Sequence, residues 1–261
     1  MKIAIIGTGY VGSAFKALVS DRYDTITYDV ADGISYPQEA IDSSDLAVVC
    51  VPTPMSDDGS CDTSIVEAAI EKINAPLILI KSTVSPGTTA RLAEKFGKRI
   101  CFSPEYIGES TYNNPIYKTM ADTPFLIVGG QQEDVEEIFA ILEPIMGPHC
   151  RYFACTSTEA EVIKYMENSF LAMKVSFVNE FYEIAKTFDA NWHTVREGWL
   201  LDERIGRPFT SVFTEARGFS GKCLPKDVNA IVKASETKGF TPTILKSILS
   251  FNDDIRKDAS K

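Results

Sequence analysis

The stretch Gly7-Thr8-Gly9-Tyr10-Val11-Gly12 constrains the fold of this chain more than any other, because it joins an apolar run, Lys2 to Ile6, to a helical pattern, Tyr10 to Ser20. A glycine turn between a strand and a helix brings a backbone close to a pyrophosphate. Gly7 permits the tight turn, Gly9 lets the phosphates approach the helix amino terminus, and Gly12 allows the helix to pack closely on the strand. Asp29 lies twenty residues beyond Gly9, at the end of a second strand from Thr25 to Asp29, where a carboxylate accepts hydrogen bonds from ribose hydroxyls. The glycine pattern alone describes many ordinary turns. A strand before it, a helix after it and an acid at that distance make it a dinucleotide site. Val30 and Ala31 follow Asp29 where a 2′-phosphate would want an arginine, so the expected cofactor is NAD rather than NADP.

The rest of the first half repeats the same unit. Leu46 to Val51, Leu77 to Lys81, Arg99 to Phe102 and Phe125 to Val128 are short apolar runs of strand type, and helical patterns occupy Ser64 to Ile73, Thr88 to Phe96 and Glu133 to Ile145. Alternating strands and helices imply a parallel sheet covered on both faces, so the expected class is α/β with a Rossmann-type doubly wound parallel sheet. Near Cys155 the pattern changes. From Thr158 onward the chain is helical almost throughout, broken by a loop from about Gly206 to Pro225, and Glu159 to Asp189 runs without a Gly or Pro stop. Two domains are expected: 1–155, which binds NAD, and 156–261, all-α and built on one long helix.

Composition narrows the partners. At 261 residues and 44% hydrophobic content the chain can fill sizeable cores. No apolar run has membrane-spanning length, and the amino terminus reads as strand and turn rather than signal peptide, so a cytoplasmic protein without a membrane partner is expected. A net charge of −10 argues against a nucleic-acid partner, yet leaves room for a local basic pocket around a small anion. The six cysteines, at 50, 61, 101, 150, 155 and 223, form no CxxC pair, so reduced thiols are the expectation. His149 and His193 have no Cys or acid at ligand spacing, which speaks against a metal and against a histidine-based triad.

Five further segments carry candidate chemistry. Gly218 to Asp227, reading GFSGKCLPKD, sets Cys223 in a glycine-flanked turn with Lys226 and Asp227 just after it, an arrangement that suits a nucleophilic thiol; most free cysteines are nevertheless small buried hydrophobes. Val51-Pro52-Thr53-Pro54 and Lys81-Ser82-Thr83-Val84-Ser85-Pro86-Gly87-Thr88 leave two strands at the edge where open α/β sheets bind ligands, or are simply proline-stiffened exits. Ser103 to Ser110 places Glu105 and Glu109 four apart near the same edge, where two solvated acids are the bland alternative. Glu161, Lys164 and Asn168 share one helix face, the alternative being a surface salt bridge with a passing Asn.

Taken together, GYVG, VPTP, KSTVSPGT, SPEYIGES, the E-x-x-K-x-x-x-N helix continuing into FLAMKVSFVNE, DERIG and GFSGKCLPKD resemble, in order and over essentially the full chain, the UDP-glucose 6-dehydrogenase group of nucleotide-sugar dehydrogenases. The resemblance implies NAD held by Gly7, Gly9, Tyr10, Val11, Gly12, Asp29, Pro52, Thr53, Thr83 and Glu109. It implies Cys223 as the catalytic nucleophile, Lys164 and Asn168 at the C6 oxygen, Asp227 with Thr83 positioning water, and Glu105 as general acid/base. The sugar nucleotide would meet Lys164, Asn168, Gly218, Phe219 and Ser220, and Arg204 would be offered to a neighbouring subunit's substrate. The expected reaction takes the C6 hydroxyl of a nucleotide sugar, UDP-glucose first among them, to the acid through a Cys223 thiohemiacetal and thioester. A homodimer through the long helix is expected too, with Phe170, Val175, Phe177 and Phe181 too many for one intrachain face.

The same comparison implies departures. The UDP-binding third domain that members carry is expected to be lacking after Lys261, Ala31 to Ser44 stands where members have a longer helical insertion, and Ser220 stands where many have glycine. Three other readings stay open: a two-domain β-hydroxyacid-type dehydrogenase making one oxidation, which needs no cysteine; an NAD-binding remnant or binding module with weak or no activity; and a third domain supplied by a separate polypeptide.

Overall fold

The computed structural model describes residues 1–107 and 117–258. Seven strands, β1 (Lys2–Ile6), β2 (Asp24–Tyr28), β3 (Leu46–Val49), β4 (Ile78–Ile80), β5 (Ile100–Phe102), β6 (Phe125–Gly129) and β7 (Arg151–Cys155), form one sheet in the order β2-β1-β3-β4-β5-β6-β7. The helices are α1 (Tyr10–Val19), α2 (Gln38–Asp42), α3 (Ser64–Lys72), α4 (Thr88–Phe96), α5 (Gln132–Met146), α6 (Ser157–Thr187), α7 (Trp192–Trp199), α8 (Leu224–Thr237) and α9 (Thr243–Asp258). The described residues fall into two compact units. Met1–Ser56, 61–107 and 117–164 make the first, and Asp57–Ser60 with 165–258 the second.

In the first unit every central strand is buried on both faces, and its residues alternate between two cores. Ala4, Ile6, Ala47, Val49, Ile78, Ile80, Ile100 and Phe102 face one side with Val66 and Ile70 of α3 and Leu92 of α4. Ile3, Ile5, Leu46, Val48, Leu77, Leu79 and Cys101 face the other with Phe15 and Val19 of α1 and Val135, Ile138 and Leu142 of α5. The strand period of two therefore sorts one apolar sequence into two helix-covered layers, the doubly wound α/β arrangement.

Strands β2 to β5 and β1 are mutually parallel in the sheet, and β6 and β7 are parallel to each other. The junction differs from a wholly parallel sheet, because β6 meets β5 antiparallel through Phe102 and Gly129. A parallel return needs a crossover packed against the sheet, usually a helix. Among the described residues this connection carries only a three-residue 3-10 turn, Met120–Asp122. Strand β7 is an edge strand, RYFAC, with three of its five residues exposed and none buried, so it lacks the buried apolar run that marks the central strands.

The second unit has a smaller apolar core, in which Ala172, Phe219, Val228 and Ile248 are buried with Val175, Leu224, Leu245 and Leu249 against them. Much of its order is polar. Arg217, 8% exposed, sends Nε to Asn179 Oδ1 at 2.7 Å, Nη2 to the Asn179 carbonyl at 3.0 Å and Nη1 to Glu183 at 2.5 Å, with its plane over Tyr182. The 31-residue helix α6 starts on a capping box, with Glu159 accepting from the Thr156 backbone and hydroxyl. It leaves Met166, Phe170, Met173, Phe177, Phe181 and Ile184 exposed, and Phe188, just past its end, is exposed as well. Val175 belongs instead to the interior of its unit, so it drops out of the expected exposed set.

Candidate functional site

The strand order reverses between β1 and β3, and the glycine turn leaves β1 at that switch point, where open α/β sheets take ligands. Gly7 has φ +92°, and a Cβ there would stand 2.7 Å from the Cys50 backbone; one on Gly12 would stand 1.9 Å from the Gly7 carbonyl oxygen. A Cβ on Gly9 would meet nothing within 4 Å. Gly9 caps α1 without a side-chain partner for the helix amides. An open cradle at a bare helix amino terminus fits the pyrophosphate of NAD. Tyr10 is half exposed beside it, and Val11 packs toward the core.

Asp29 lies one residue past β2. Its Oδ2 accepts from the Thr8 backbone at 2.7 Å and its Oδ1 from Ala31 N at 2.9 Å. The Ala31 and Thr8 backbone bonds hold its carboxyl below the usual aspartate range. A carboxylate braced on the glycine turn itself is fixed in charge and direction.

Beyond β3, Pro52 is exposed and Thr53 buried; beyond β4, Thr83 is half buried, its carbonyl accepting from the Cys61 thiol at 3.6 Å. After β5, Glu105 is pinned. Oε1 accepts from Tyr106 N at 2.8 Å and Ile107 N at 3.0 Å, and Oε2 stands 3.3 Å from Lys81 Nζ. Glu109 lies outside the described residues.

On α6, Glu161, Lys164 and Asn168 are 0%, 9% and 6% exposed, so a solvated surface pair is not what this face is. Glu161 caps α4: its carboxylate accepts from Gly87 N at 2.5 Å, Thr89 N at 2.8 Å and the Thr89 hydroxyl at 2.6 Å. Lys164 holds its ammonium 5.0 Å from the centre of the Tyr106 ring, a cation–π contact.

In the second unit, Asn168 Nδ2 donates to Asp227 Oδ2 at 2.5 Å, and Lys226 Nζ contacts Asp227 Oδ1 at 2.6 Å. The cation expected to serve Cys223 is thus engaged by the carboxylate beside it. Cys223 is the exposed member of the six cysteines and caps α8, where free helix amides favour negative charge. Burial pushes the Cys50 and Cys101 thiols up to about 12 and raises those of Cys150 and Cys155, which leaves them poor nucleophiles.

The loop before Cys223 is clamped from two helices. Gly218 has φ +72°, and a Cβ on it would come within 2.4 Å of Asn252 Oδ1. That oxygen accepts from Phe219 N at 2.7 Å while Asn252 Nδ2 donates to the Phe219 carbonyl at 3.1 Å. Phe219 is buried and Ser220 exposed. Arg204 is 88% exposed and chelated by Asp202. Lys81, Arg217 and Asn252 have no role in the sequence reading. Lys81 had a signal, a charge directly after the buried run LILI; Asn252, on a polar helix turn, had none. No group of His, Cys, Asp and Glu that could hold a metal occurs among the described residues, and none of their helices is long and apolar enough to cross a membrane.

Comparison with known proteins agrees with this geometry. The NAD binding domain of the UDP-glucose/GDP-mannose dehydrogenase family matches residues 32–145, beginning after the glycine turn, and the central domain of that family matches 158–254. UDP-glucose 6-dehydrogenase AglM of Haloferax volcanii is 30% identical over 97% of this chain, which spans 70% of it; for the Rickettsia prowazekii UDP-glucose 6-dehydrogenase the match spans 49%. The chain thus spans about half to 70% of the length of such relatives. The structure of a UDP-glucose dehydrogenase from Pyrobaculum islandicum superposes with a TM-score of 0.82 at 26% identity, over 97% of this chain and 68% of that one. A 3-hydroxyisobutyrate dehydrogenase of Mycobacterium tuberculosis, 17% identical, shares the fold with a TM-score of 0.71 over 99% and 94% of the two chains.

Proposed function

Because the chain belongs to the UDP-glucose/GDP-mannose dehydrogenase family, we propose that it oxidises the C6 hydroxyl of a nucleotide sugar to the acid, with UDP-glucose the leading candidate. The observation that carries this reading is the coincidence of an exposed cysteine on a helix cap with a buried Asn168–Asp227 pair, inside a match to the family's central domain. Residues 1–155 act as the NAD-binding domain and 156–261 as the helical catalytic domain, in a cytoplasmic protein.

NAD, when bound, supplies hydride acceptance. Gly7, Gly9, Tyr10, Val11 and Gly12 hold its pyrophosphate end, Asp29 the ribose, and Pro52, Thr53, Thr83 and Glu109 the remainder. Oxidation of an alcohol to an acid removes four electrons in two hydride transfers, and Cys223 spans them. Its thiol adds to the aldehyde to give a thiohemiacetal, which the second oxidation converts to a thioester. Lys164 and Asn168, four residues apart on α6, steady the negative charge on the C6 oxygen. Water positioned by Asp227 and Thr83 then opens the thioester; Glu105 takes its proton and the C–S bond breaks to release the acid. Gly218, Phe219 and Ser220 border the sugar, and Arg204 reaches toward substrate on a second copy.

The homodimer forms along α6. Its exposed apolar residues from Met166 to Ile184 recur at spacings of four, three, four, four and three, close to the 3.6-residue turn, and so keep to one nearly straight stripe. The test is a screen of NAD reduction with UDP-glucose, UDP-N-acetylhexosamines and GDP-mannose, counting NADH per substrate. Two NADH and an acid product are expected. One NADH and a carbonyl product would replace this reading with a single oxidation of β-hydroxyacid type.

A further inference from the structure

Lys81, at the exit of β4, is a cation that the first unit has taken out of water. Its side chain is 5% exposed, and that of Glu105, 3.3 Å away, is 11% exposed. The Ser103 hydroxyl and the Pro104 carbonyl lie at 3.4 Å from the same ammonium. The pair borders a cavity of about 30 Å³ walled mainly by Phe15, Leu18, Met120, Phe125 and Leu142, too small for a substrate and too apolar to screen charge. A charge buried in this way is stable only when paired and hydrogen-bonded. No other cation is described within salt-bridge distance of Glu105.

We infer that Lys81 is a positioning residue for Glu105. Oε1 of the carboxylate is already fixed by two backbone amides, and Lys81 fixes Oε2, so the glutamate is held in one rotamer by partners that all come from the same unit. Without the ammonium, Oε2 has no charged partner and the side chain regains rotamer freedom. An acid–base group must lie within hydrogen-bond reach of the proton it takes, and displacement by about 1 Å costs on the order of 100-fold in rate. The inference rests on the acid–base role of Glu105 proposed above. In that step Glu105 takes one proton from the attacking water and returns it to the sulfur as the C–S bond breaks, while Lys81 takes no part in the transfer. The oxidations do not use this proton transfer, so loss of Lys81 should slow thioester opening selectively.

The test compares wild type with Lys81→Met, Lys81→Arg and the double variant Lys81→Met/Glu105→Gln. In Lys81→Met, NADH should appear as a burst of about two per active site followed by turnover slowed roughly 100-fold, and intact-protein mass spectrometry should find an acyl adduct on Cys223. KM for NAD should be unchanged, and Lys81→Arg, which keeps the cation, should recover most of the turnover. The double variant removes both buried charges; it should fold even where Lys81→Met does not, and should also accumulate the adduct. A Lys81→Met or double variant that turns over with no adduct, or a double variant that fails to fold, overturns the inference. A wild type that oxidises no nucleotide sugar fails earlier and differently, by removing the proposed function.

Discussion

Asn168 and Asp227, 59 residues apart, share a 2.5 Å hydrogen bond in which an amide on α6 donates to a carboxylate on α8. Asp227 is 1% exposed, so its two oxygens have this donor and Lys226 as partners in place of water. Asn168→Ala should therefore lower stability by about 1–3 kcal/mol, the usual cost of leaving a buried acceptor without its partner. Urea unfolding measures it; a midpoint equal to wild type would mean that water reaches Asp227 freely.

Cys223→Ser should bind NAD as wild type does and yet form little acid. The hydroxyl can still add to an aldehyde, but the resulting ester hydrolyses far more slowly than a thioester. Product analysis after a single turnover distinguishes aldehyde-level material from acid. Full acid production by the variant would remove Cys223 from the mechanism.

Binding should favour NAD over NADP. Asp29 is held ionised by Ala31 and Thr8, so it repels a 2′-phosphate across the neutral range, and Val30 and Ala31 offer no offsetting cation. Asp29→Asn should narrow the preference in calorimetric titration. Equal affinities in the wild type would contradict the assignment.

Glu161 gives stability a pH signature. Burial raises its carboxyl above the ordinary glutamate range, against the opposing bonds from Thr89 and Gly87. The folded state then binds this proton more tightly than the unfolded chain does. The contribution is complete below the unfolded value of about 4.3 and is lost as pH rises through the folded one. Unfolding free energies of wild type and Glu161→Gln, measured along a pH series, should differ most in favour of wild type at the acid end. Parallel curves would show that Glu161 is ionised equally in both states.

Phe177→Glu should separate a dimer into monomers without unfolding them. Phe177 is 45% exposed and tilts against Phe181 and Trp199, so a charge there meets solvent in the monomer but apolar surface in a paired helix. Sedimentation at micromolar concentration reads the result; a wild type that is already monomeric would eliminate the interface.

The glycine turn, Asp29, the central strands and α6 could be read from residue order because each obeys a local rule: a turn needing a positive φ, a period of two, a period of 3.6. The antiparallel β5–β6 junction could not, since strand direction depends on where the connection packs, not on what the strand contains. The pinning of Glu105 by Lys81 joins residues 24 apart and the clamp of Phe219 by Asn252 joins residues 33 apart. Each amino acid in these pairs is unremarkable in its own window. Val175 shows the converse limit: it shares the apolar character of Phe177, and only packing reveals that it faces inward.

Asn252 grips both backbone groups of Phe219 from α9, so the loop that presents Cys223 takes its shape from residues made after it. During synthesis on the ribosome, strands β1 to β7 emerge and can pair while that loop still lacks its clasp. The cysteine leaves the tunnel before the asparagine that sets its approach. The approach to the thiol is thus set only once α9 has been made.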